Sequence, residues 1–263
     1  MWNSKTASAE HKTTSRDSAP ALIIPTQNLV LSSIPRADAN EIVSVAKAVN
    51  LKTGDMLFEG GEEINEIYFP INCVVSALTV LEDGSTVENY MTGREGIVGI
   101  PALIGGRKAL HWMQVSVAGG ALRVAARVVE DVSTRSPGVH SAVLRAYRDL
   151  FTQICQRSVC NVRHTLLQRL CVWLLMMSDR LNASELPFTQ EDIANRISVR
   201  RAGVSVAAST LQAMQAISYH RGTIVITDRP AIEQAACECY SVLARDFRPE
   251  SQRLPASRKI AIR

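Results

Sequence analysis

The stretch that decides the fold is FTQEDIANRISVRRAGVSVAASTLQAMQAISYHRGTIVITDR, residues 188–229. Thr189 can cap a first helix, Ser198 lies at a break, and Arg200 opens a second helix over 200–212. Two runs of alternating apolar residues then flank the tripeptide His-Arg-Gly, as in a β-hairpin. The order helix, turn, helix and hairpin predicts a winged helix-turn-helix.

The second helix has two different faces. An apolar stripe of Val204, Ala207, Ala208 and Leu211 is predicted to face inward. The outward face is small and polar behind Arg201, so it can approach base edges in a DNA groove. Spacing alone also fits an amphipathic helical hairpin followed by an unrelated strand pair. The adjacent arginines and the hairpin favour the DNA-binding form.

The expected DNA contacts follow from position. We assign Arg201 and Ser205 to base edges, and Thr189, Gln190, Arg200 and Arg221 to phosphates. The predicted DNA-binding residues are Thr189, Gln190, Arg200, Arg201, Ser205, Ser209, His220 and Arg221.

The chain resembles the Crp/Fnr family of bacterial transcription regulators. The matching residues are LKTGDMLFEGGE from Leu51, IYFP from Ile67, GIVGI from Gly96, and the whole of 188–227. The resemblance implies an α+β fold with an N-terminal antiparallel β-roll or jelly roll, a long dimerisation helix and a C-terminal winged helix-turn-helix. The predicted domain limits are a disordered tail at 1–25, the roll at 26–135, the dimerisation helix at 136–160, the DNA-binding domain at 161–240 and a basic tail at 241–263.

The residues between about 45 and 128 fit the roll. Short β-rich runs at Ile67–Phe69, Cys73–Val80 and Thr86–Met91 are separated by glycine-containing turns. Such spacing is typical of an antiparallel sheet that encloses a pocket or serves as a scaffold.

The resemblance allows a test of cyclic-nucleotide binding. In the family a glutamate follows the glycine of the phosphate cassette, and an arginine with a hydroxyl residue binds the cyclic phosphate. Here Gly96 is followed by Ile97, and His111 and Trp112 align with the arginine and hydroxyl positions. Arg107 and Lys108 lie in the same loop, but Ile97 cannot accept a ribose hydrogen bond. The expected pocket near Gly96, Ile97, Arg107 and His111 is therefore degenerate, cyclic AMP binding is predicted to be lost, and the effector is left open.

A long helix is predicted after Ser136, which can cap it, with Pro137 in its first turn. His140, Val143, Tyr147, Leu150 and Ile154 recur at alternating spacings of three and four, as in a coiled-coil seam, and are the predicted dimer interface. A second stripe of Leu144, Phe151, Cys155 and Val159 is expected to pack against the roll. The alternative is a helix fully buried within one chain.

Residues 161–180 predict a further helix, with Leu166, Leu170, Trp173, Leu174 and Met177 toward the core. Arg163, His164 and Arg169 are expected to face outward. The cysteines are expected to be reduced, and Cys237 and Cys239 are interpreted as structural helix residues because a lone Cys-x-Cys lacks the partners of a zinc site. We expect no metal and no cofactor.

The charge distribution supports a polyanion as partner. Residues 51–100 carry a net charge of −7, 101–180 carry +7 and 181–263 carry +3. No catalytic constellation, signal peptide or membrane-spanning run stands out, so we expect a cytoplasmic protein that is not an enzyme. Double-stranded DNA and a second copy of the chain are the expected partners, with RNA polymerase as a further candidate. The alternative function is an effector-binding signalling module whose helical domain contacts protein rather than DNA.

Overall fold

The structure, a computed structural model, describes residues 27–244. The predicted tail at 1–25, and the predicted basic tail from residue 245 onward, lie outside the described residues. The described chain mixes helices with antiparallel strand pairs, and the predicted α+β class is confirmed.

The N-terminal half is a β-roll preceded by the short helices α1 (Leu29–Ser33) and α2 (Arg36–Ser44). The strands are β1 (Lys47–Leu51), β2 (Met56–Phe58), β3 (Glu66–Pro70), β4 (Val74–Val80), β5 (Thr86–Thr92), β6 (Trp112–Val117) and β7 (Gly119–Ala125). One sheet has the strand order β1-β7-β3 and another has the order β2-β6-β4-β5. Their inward side chains form an apolar core in which Ile67, Val75 and Val115 are fully buried.

The strand β4 is buried on both faces along most of its length, unlike a strand with one face in water. Val75 and Ala77 of β4 belong to the core of the roll. Val74 of the same strand packs into the core of the C-terminal half, together with Met91 of β5. Residues of this sheet therefore pack against the C-terminal half as well as within the roll.

Two helices follow the roll, α3 (Ala126–Arg135) and α4 (Pro137–Arg163). The hydroxyl of Ser136 accepts from the backbone N–H of Val139, which confirms the predicted start of α4. The predicted helix over 161–180 is wrong at its beginning, because α4 continues to Arg163 and the next helix starts at Leu166. Thr165 and Gln168 form a capping box there, which satisfies free N–H groups and fixes the new start.

The structure corrects the assignment of faces on α4. Val143 is buried, and Leu150 and Ile154 pack against the core of the N-terminal half, so these predicted dimer residues face their own domain. His140 and Tyr147, from the same predicted seam, are exposed. The prediction that the second stripe packs against the roll is wrong, since Leu144, Phe151, Cys155 and Val159 are exposed. Both stripes have helical spacing, and only the direction of approach of α1, α3 and the 3₁₀ helix Ile100–Ile104 decides which one is covered.

The C-terminal half is built on α5 (Leu166–Leu181), whose side chains are almost all buried between Leu170 and Ser178. The winged helix-turn-helix packs on this helix, with Leu174, Ile193 and Leu211 in a common core. The remaining elements are β8 (Glu185–Leu186), α6 (Gln190–Arg196), α7 (Arg201–Ala213), β9 (Ile217–His220), β10 (Thr223–Ile226), α8 (Arg229–Ala235) and α9 (Cys239–Leu243).

A buried carboxylate joins the two halves. Glu88 of β5 is 1% exposed. Its Oε1 accepts from Arg157 Nη1 at 2.9 Å and from Trp173 Nε1 at 3.3 Å. Its Oε2 accepts from Arg196 Nη1 at 3.0 Å and from Ser76 Oγ at 2.5 Å. We call these residues the Glu88 cluster; they come from the roll, from α4, from α5 and from α6, so one side chain fixes four parts of the chain relative to one another.

Replacing Glu88 by glutamine is expected to destabilise the protein by about 3–5 kcal/mol, because two largely buried guanidinium groups would lose their counter-charge. Urea unfolding of the full chain measures the loss. The matched control is Glu82→Gln in the exposed turn of the same hairpin, which should change the free energy of unfolding by less than about 0.5 kcal/mol. Equal effects of the two substitutions would contradict the role of Glu88.

The same carboxylate predicts a dependence on pH. Burial raises the pKa of Glu88, but Arg157, Arg196 and the hydroxyl of Ser76 lower it more, so its pKa lies below the ordinary value. The stabilisation is complete above the pKa of an unfolded glutamic acid, about 4.3, and is lost as pH falls through the lower pKa of the folded state. Acidification below about pH 4 should therefore reduce the difference in free energy of unfolding between the wild-type protein and Glu88→Gln.

Candidate DNA-binding surface

The helix-turn-helix is held together locally by a cap and a strained turn residue. Thr189 caps α6, since its hydroxyl accepts from the N–H of Asp192 and donates to the carboxylate of that residue. Ser198 has φ +54°, a left-handed conformation that favours glycine. The chain then turns into α7, with the N–H of Val199 bonded to the carbonyl of Ala194. Arg200 is the N-cap residue rather than the first residue of the predicted helix over 200–212, because its backbone is still extended.

The two faces of α7 agree with the predicted pattern. Val204, Ala207, Ala208 and Leu211 are buried. On the opposite face Arg200, Arg201 and Ser209 are exposed and Ser205 is half-buried. Arg201 Nε lies 3.9 Å from Glu191 Oε2, but both side chains are more than half exposed, so this contact is weak. The guanidinium of Arg201 can therefore exchange this contact for a nucleic acid.

The wing is a hairpin of β9 and β10, with β8 added along its other edge by the pairing of Leu186 with Ile224. The sequence did not indicate β8, which is only two residues long. His220 pairs with Thr223, so Arg221 and Gly222 form a two-residue turn with φ +42° and +86°. Positive φ at both positions is the type I′ pattern, in which an arginine is strained. His220 and Arg221 are exposed at the tip.

The start of α6 lies beside this wing. Gly222 approaches Thr189, where a Cβ on the glycine would lie 3.5 Å from Thr189 Cγ2. Thr189 is exposed but its hydroxyl is engaged in the cap, and Gln190 is half-buried. The structure thus brings the start of α6 and the tip of the wing together, while Arg200 and Arg201 lie at the start of α7.

Two arginines donate hydrogen bonds to carbonyl groups at the C-terminal end of α6. Arg157 of α4 donates to the carbonyl of Arg196, and Arg169 of α5 donates to the carbonyl of Ile197. Cations at the C-terminal carbonyl groups of a helix are favourable because these groups lack intrahelical partners. The prediction that Arg169 faces outward is wrong, since its guanidinium is used in this contact.

The predicted effector residues have separate surroundings. Gly96 and Ile97 line a small cavity together with Ala146 and Leu150 of α4, and Ile97 is 4% exposed. Arg107 is exposed and pairs with Glu130 of α3 at 3.2 Å. His111 is half-buried beside Asn89 and Thr79, and burial lowers its pKa. The cavity beside Gly96 does not include Arg107 or His111.

The structure also forms a group that sequence reasoning missed. Cys160 and His164, at the end of α4, meet Cys237 and Cys239, at the start of α9, and we call this group the thiol–imidazole cluster. The three sulfurs and a ring nitrogen all lie within 4.8 Å of one another. The prediction that His164 faces outward is wrong, because its side chain is only 13% exposed. The signal in the sequence was the Cys-x₃-His spacing on one helix, but its partners lie more than 70 positions away.

Comparison with known proteins supports the domain at this surface. The Crp-like helix-turn-helix domain matches residues 168–235. No curated protein is significantly similar in sequence to this chain. The residues 168–235 therefore form a Crp-like helix-turn-helix domain.

Solved structures share the fold of about three quarters of this chain. FixK2 from Bradyrhizobium japonicum is 17% identical with a TM-score of 0.65, over 73% of this chain and 98% of FixK2. A CRP-family transcriptional regulator from Thermus thermophilus is 16% identical with a TM-score of 0.61, over 72% of this chain and 96% of that one. The c-di-GMP-responsive global regulator CLP of Xanthomonas campestris is 13% identical with a TM-score of 0.60, over 73% and 99% of the two chains.

The domain match and the fold confirm the resemblance to the Crp/Fnr family. Residues 168–235 belong to the Crp-like helix-turn-helix domain, and the fold is similar to that of solved Crp/Fnr-family structures. Within residues 27–244, no helix has the length and apolar character needed to cross a membrane.

The turn residue Ser198 allows a test of the helix-turn-helix geometry. Ser198→Gly is expected to stabilise the protein by about 0.5–1 kcal/mol, because glycine adopts the left-handed conformation without a Cβ penalty. The matched control is Ser209→Gly in the exposed interior of α7, where the same change should destabilise by about 0.5 kcal/mol. Urea unfolding measures both values, and the same sign for both variants would contradict the turn geometry.

Proposed function

We propose that this chain binds DNA as a homodimer and inserts α7 of each protomer into the major groove. The single observation that carries the proposal is the exposed face of α7, with two adjacent arginines at its start, in a Crp-like helix-turn-helix domain. The major groove is about 12 Å wide and admits a helix, and small side chains let the helix lie close to the base edges.

The side chains divide into two proposed groups. Arg201, Ser205 and Ser209 face outward along α7 and would contact base edges, with Arg201 suited to the two acceptors of guanine. Arg200, at the start of α7, and Arg221, with His220 at the tip of the wing, would contact phosphates. The backbone at Thr189 and the amide of Gln190, at the start of α6, suit a phosphate as well, because a helix N-terminus attracts anions.

The dimer would form through the exposed apolar side chains of α4. Leu144, Tyr147, Phe151, Cys155, Val159 and Val162 follow one another at intervals of three or four residues along the helix, and we call them the α4 stripe. Phe151 is 56% exposed and Val162 is 83% exposed. A continuous apolar stripe on a long helix is typical of a coiled-coil seam, and a second α4 presents the same stripe to it in a two-fold dimer.

We assign one role to each of three parts of the chain. The roll with α3 forms a regulatory part, α4 joins two protomers, and α5 to α8 form the DNA-binding part. A two-fold dimer places two copies of α7 on one side of the assembly, which suits an operator of inverted half-sites about 34 Å apart.

We infer that cyclic AMP is not the effector. Ile97 is a buried apolar side chain where a ribose acceptor is expected, and His111 replaces the arginine for the phosphate. Arg107, a basic residue of the same loop, is paired with Glu130 at the surface. A phosphate buried without a charged partner would forgo a contact worth about 1.5–3 kcal/mol.

The DNA contacts are tested with two arginine variants on specific and random duplexes. Arg201→Ala should weaken the specific complex by about 1–3 kcal/mol and relax the preference between sequences. Arg221→Ala should weaken binding to all duplexes similarly and lower the salt dependence by about one counterion. Fluorescence anisotropy over a range of salt concentrations measures both effects.

The control for these variants is Arg127→Ala, which removes an exposed arginine of α3 in the N-terminal half and should leave DNA binding unchanged. If the wild-type protein has no affinity for any duplex at low salt, the proposal is wrong. Equal effects of Arg201→Ala and Arg221→Ala on specific and random duplexes would contradict the division of roles.

The dimer is tested by Phe151→Asp. Each protomer loses the burial of a phenylalanine, worth about 1.5–3 kcal/mol, so the two-fold interface should lose about 3–6 kcal/mol or more. The dissociation constant of the dimer should rise by at least about 100-fold, which sedimentation equilibrium measures. Leu110→Asp, in an exposed loop of the roll, should leave the dimer intact. A monomeric wild-type protein at micromolar concentration would refute the interface.

A further inference from the structure

We propose that the thiol–imidazole cluster is a structural Zn²⁺ site with Cys160, His164, Cys237 and Cys239 as its ligands. Three sulfurs and one ring nitrogen from separate parts of the chain lie within 4.8 Å of one another. Such a set offers Zn²⁺ the complete tetrahedral coordination of a structural site.

The distances fit this coordination. Zn–S bonds of about 2.3 Å and Zn–N bonds of about 2.0–2.1 Å place the ligand atoms of a tetrahedron about 3.5–3.8 Å apart. Cys160 Sγ lies 3.6 Å from Cys237 Sγ, and Cys239 Sγ lies 3.4 Å from His164 Nδ1. The ligands are therefore close to their final positions, and small side-chain rotations would complete the site.

The surroundings of the ligands resemble those of a metal site. His164 Nδ1 faces the sulfur of Cys239, and its Nε2 lies 3.4 Å from a carboxylate oxygen of Glu238. This orientation leaves Nδ1 for the metal and lets Nε2–H donate to the carboxylate, as metal-bound histidines usually do. Gln156 Nε2 lies 3.1 Å from Cys239 Sγ and can donate to a thiolate there.

The enclosure favours a structural site over a catalytic one. Cys160, Cys237 and Cys239 are each at most 5% exposed, and Val172, Met176 and Leu243 pack around them. Four protein ligands leave no position for water or a substrate. Because thiolates and imidazole are softer donors than carboxylates, the set selects Zn²⁺ over Mg²⁺ or Ca²⁺.

The proposed site lies between the end of α4 and the segment after α8, so a bound ion would connect these two parts of the chain. Cys160 and His164 occupy successive turns at the end of α4, whereas Cys237 and Cys239 follow α8, beyond the wing. A bound ion would fasten the last described segment of the DNA-binding domain to the helix that carries the α4 stripe. It would thereby fix α6 and α7 relative to α4, through which the proposed dimer forms.

Binding has a defined proton balance. Each of the three thiols gives its proton to solvent and becomes a thiolate, while His164 binds as neutral imidazole, so the bound centre carries a single negative charge. Arg169 lines the same small cavity as Cys160, and its positive charge would stabilise this centre.

The test uses the full-length protein, purified with a thiol reductant and stripped of metal by a chelator. Elemental analysis after Zn²⁺ loading should give one ion per chain. Titration with Co²⁺ should produce the visible bands of a tetrahedral thiolate complex and the release of protons. Zn²⁺ should raise Tm by several degrees, since an ion that binds only the folded state stabilises it.

Variants locate the site. Cys239→Ser and His164→Ala should each weaken Zn²⁺ binding by at least about 100-fold, more than the loss of an outer partner. Cys155→Ser, an exposed cysteine on α4, and Cys171→Ser, a buried cysteine of α5, are matched controls that should retain one ion per chain. If a ligand variant fails to fold, the Co²⁺ spectrum of the stripped wild-type protein still decides, because only a thiolate site gives those bands.

Three outcomes would overturn the proposal. In the first, the reduced wild-type protein binds Zn²⁺ no more tightly than Cys239→Ser does. In the second, one ion remains bound at full occupancy in both ligand variants, which would place the metal elsewhere. In the third, a disulfide between Cys160 and Cys237 forms in air while the reduced protein shows no tight metal site, which would make the pair redox-active instead.

Discussion

The buried charge of Glu88 is the constraint on which the arrangement of the two halves depends. A carboxylate removed from water must be compensated within the protein, and its partners come from α4, α5, α6 and the roll. Separating the roll from the helix-turn-helix would break the ion pair between Glu88 and Arg196 and expose the apolar residues packed around it to water. The contact of Glu88 with Arg196 therefore connects β5 of the roll directly to the end of α6.

The local parts of this fold could be predicted from the sequence because they depend on neighbouring residues. The cap at Thr189, the apolar stripe of α7 and the hairpin around Gly222 each depend on fewer than about a dozen consecutive residues. The strands of the roll were also indicated by their apolar runs and glycine turns. The replacement of a turn glycine by Ser198 was visible in the sequence, and its positive φ shows that the backbone keeps the geometry of the turn at some cost.

The features that could not be predicted all depend on how distant elements meet. Val143 and Phe151 both have helical apolar spacing, and only the approach of α1 and α3 to one side of α4 distinguishes a buried face from an exposed one. Glu88 looks like an ordinary strand residue until three helices cover it. Cys237 and Cys239 lacked partners in the sequence because Cys160 and His164 reach them only after the chain has completed the wing and α8.

The Glu88 cluster and the thiol–imidazole cluster both connect α4 to the C-terminal half, and they do so through different residues. Arg157 binds Glu88 and also the last carbonyl group of α6, and Cys160 and His164 lie within the next two turns of α4. Arg169 binds the adjacent carbonyl group of Ile197 and lines the same small cavity as Cys160. A negative metal–thiolate centre would attract the guanidinium of Arg169. Because the same guanidinium binds the carbonyl group of Ile197 at the end of α6, a bound ion would influence the orientation of α6.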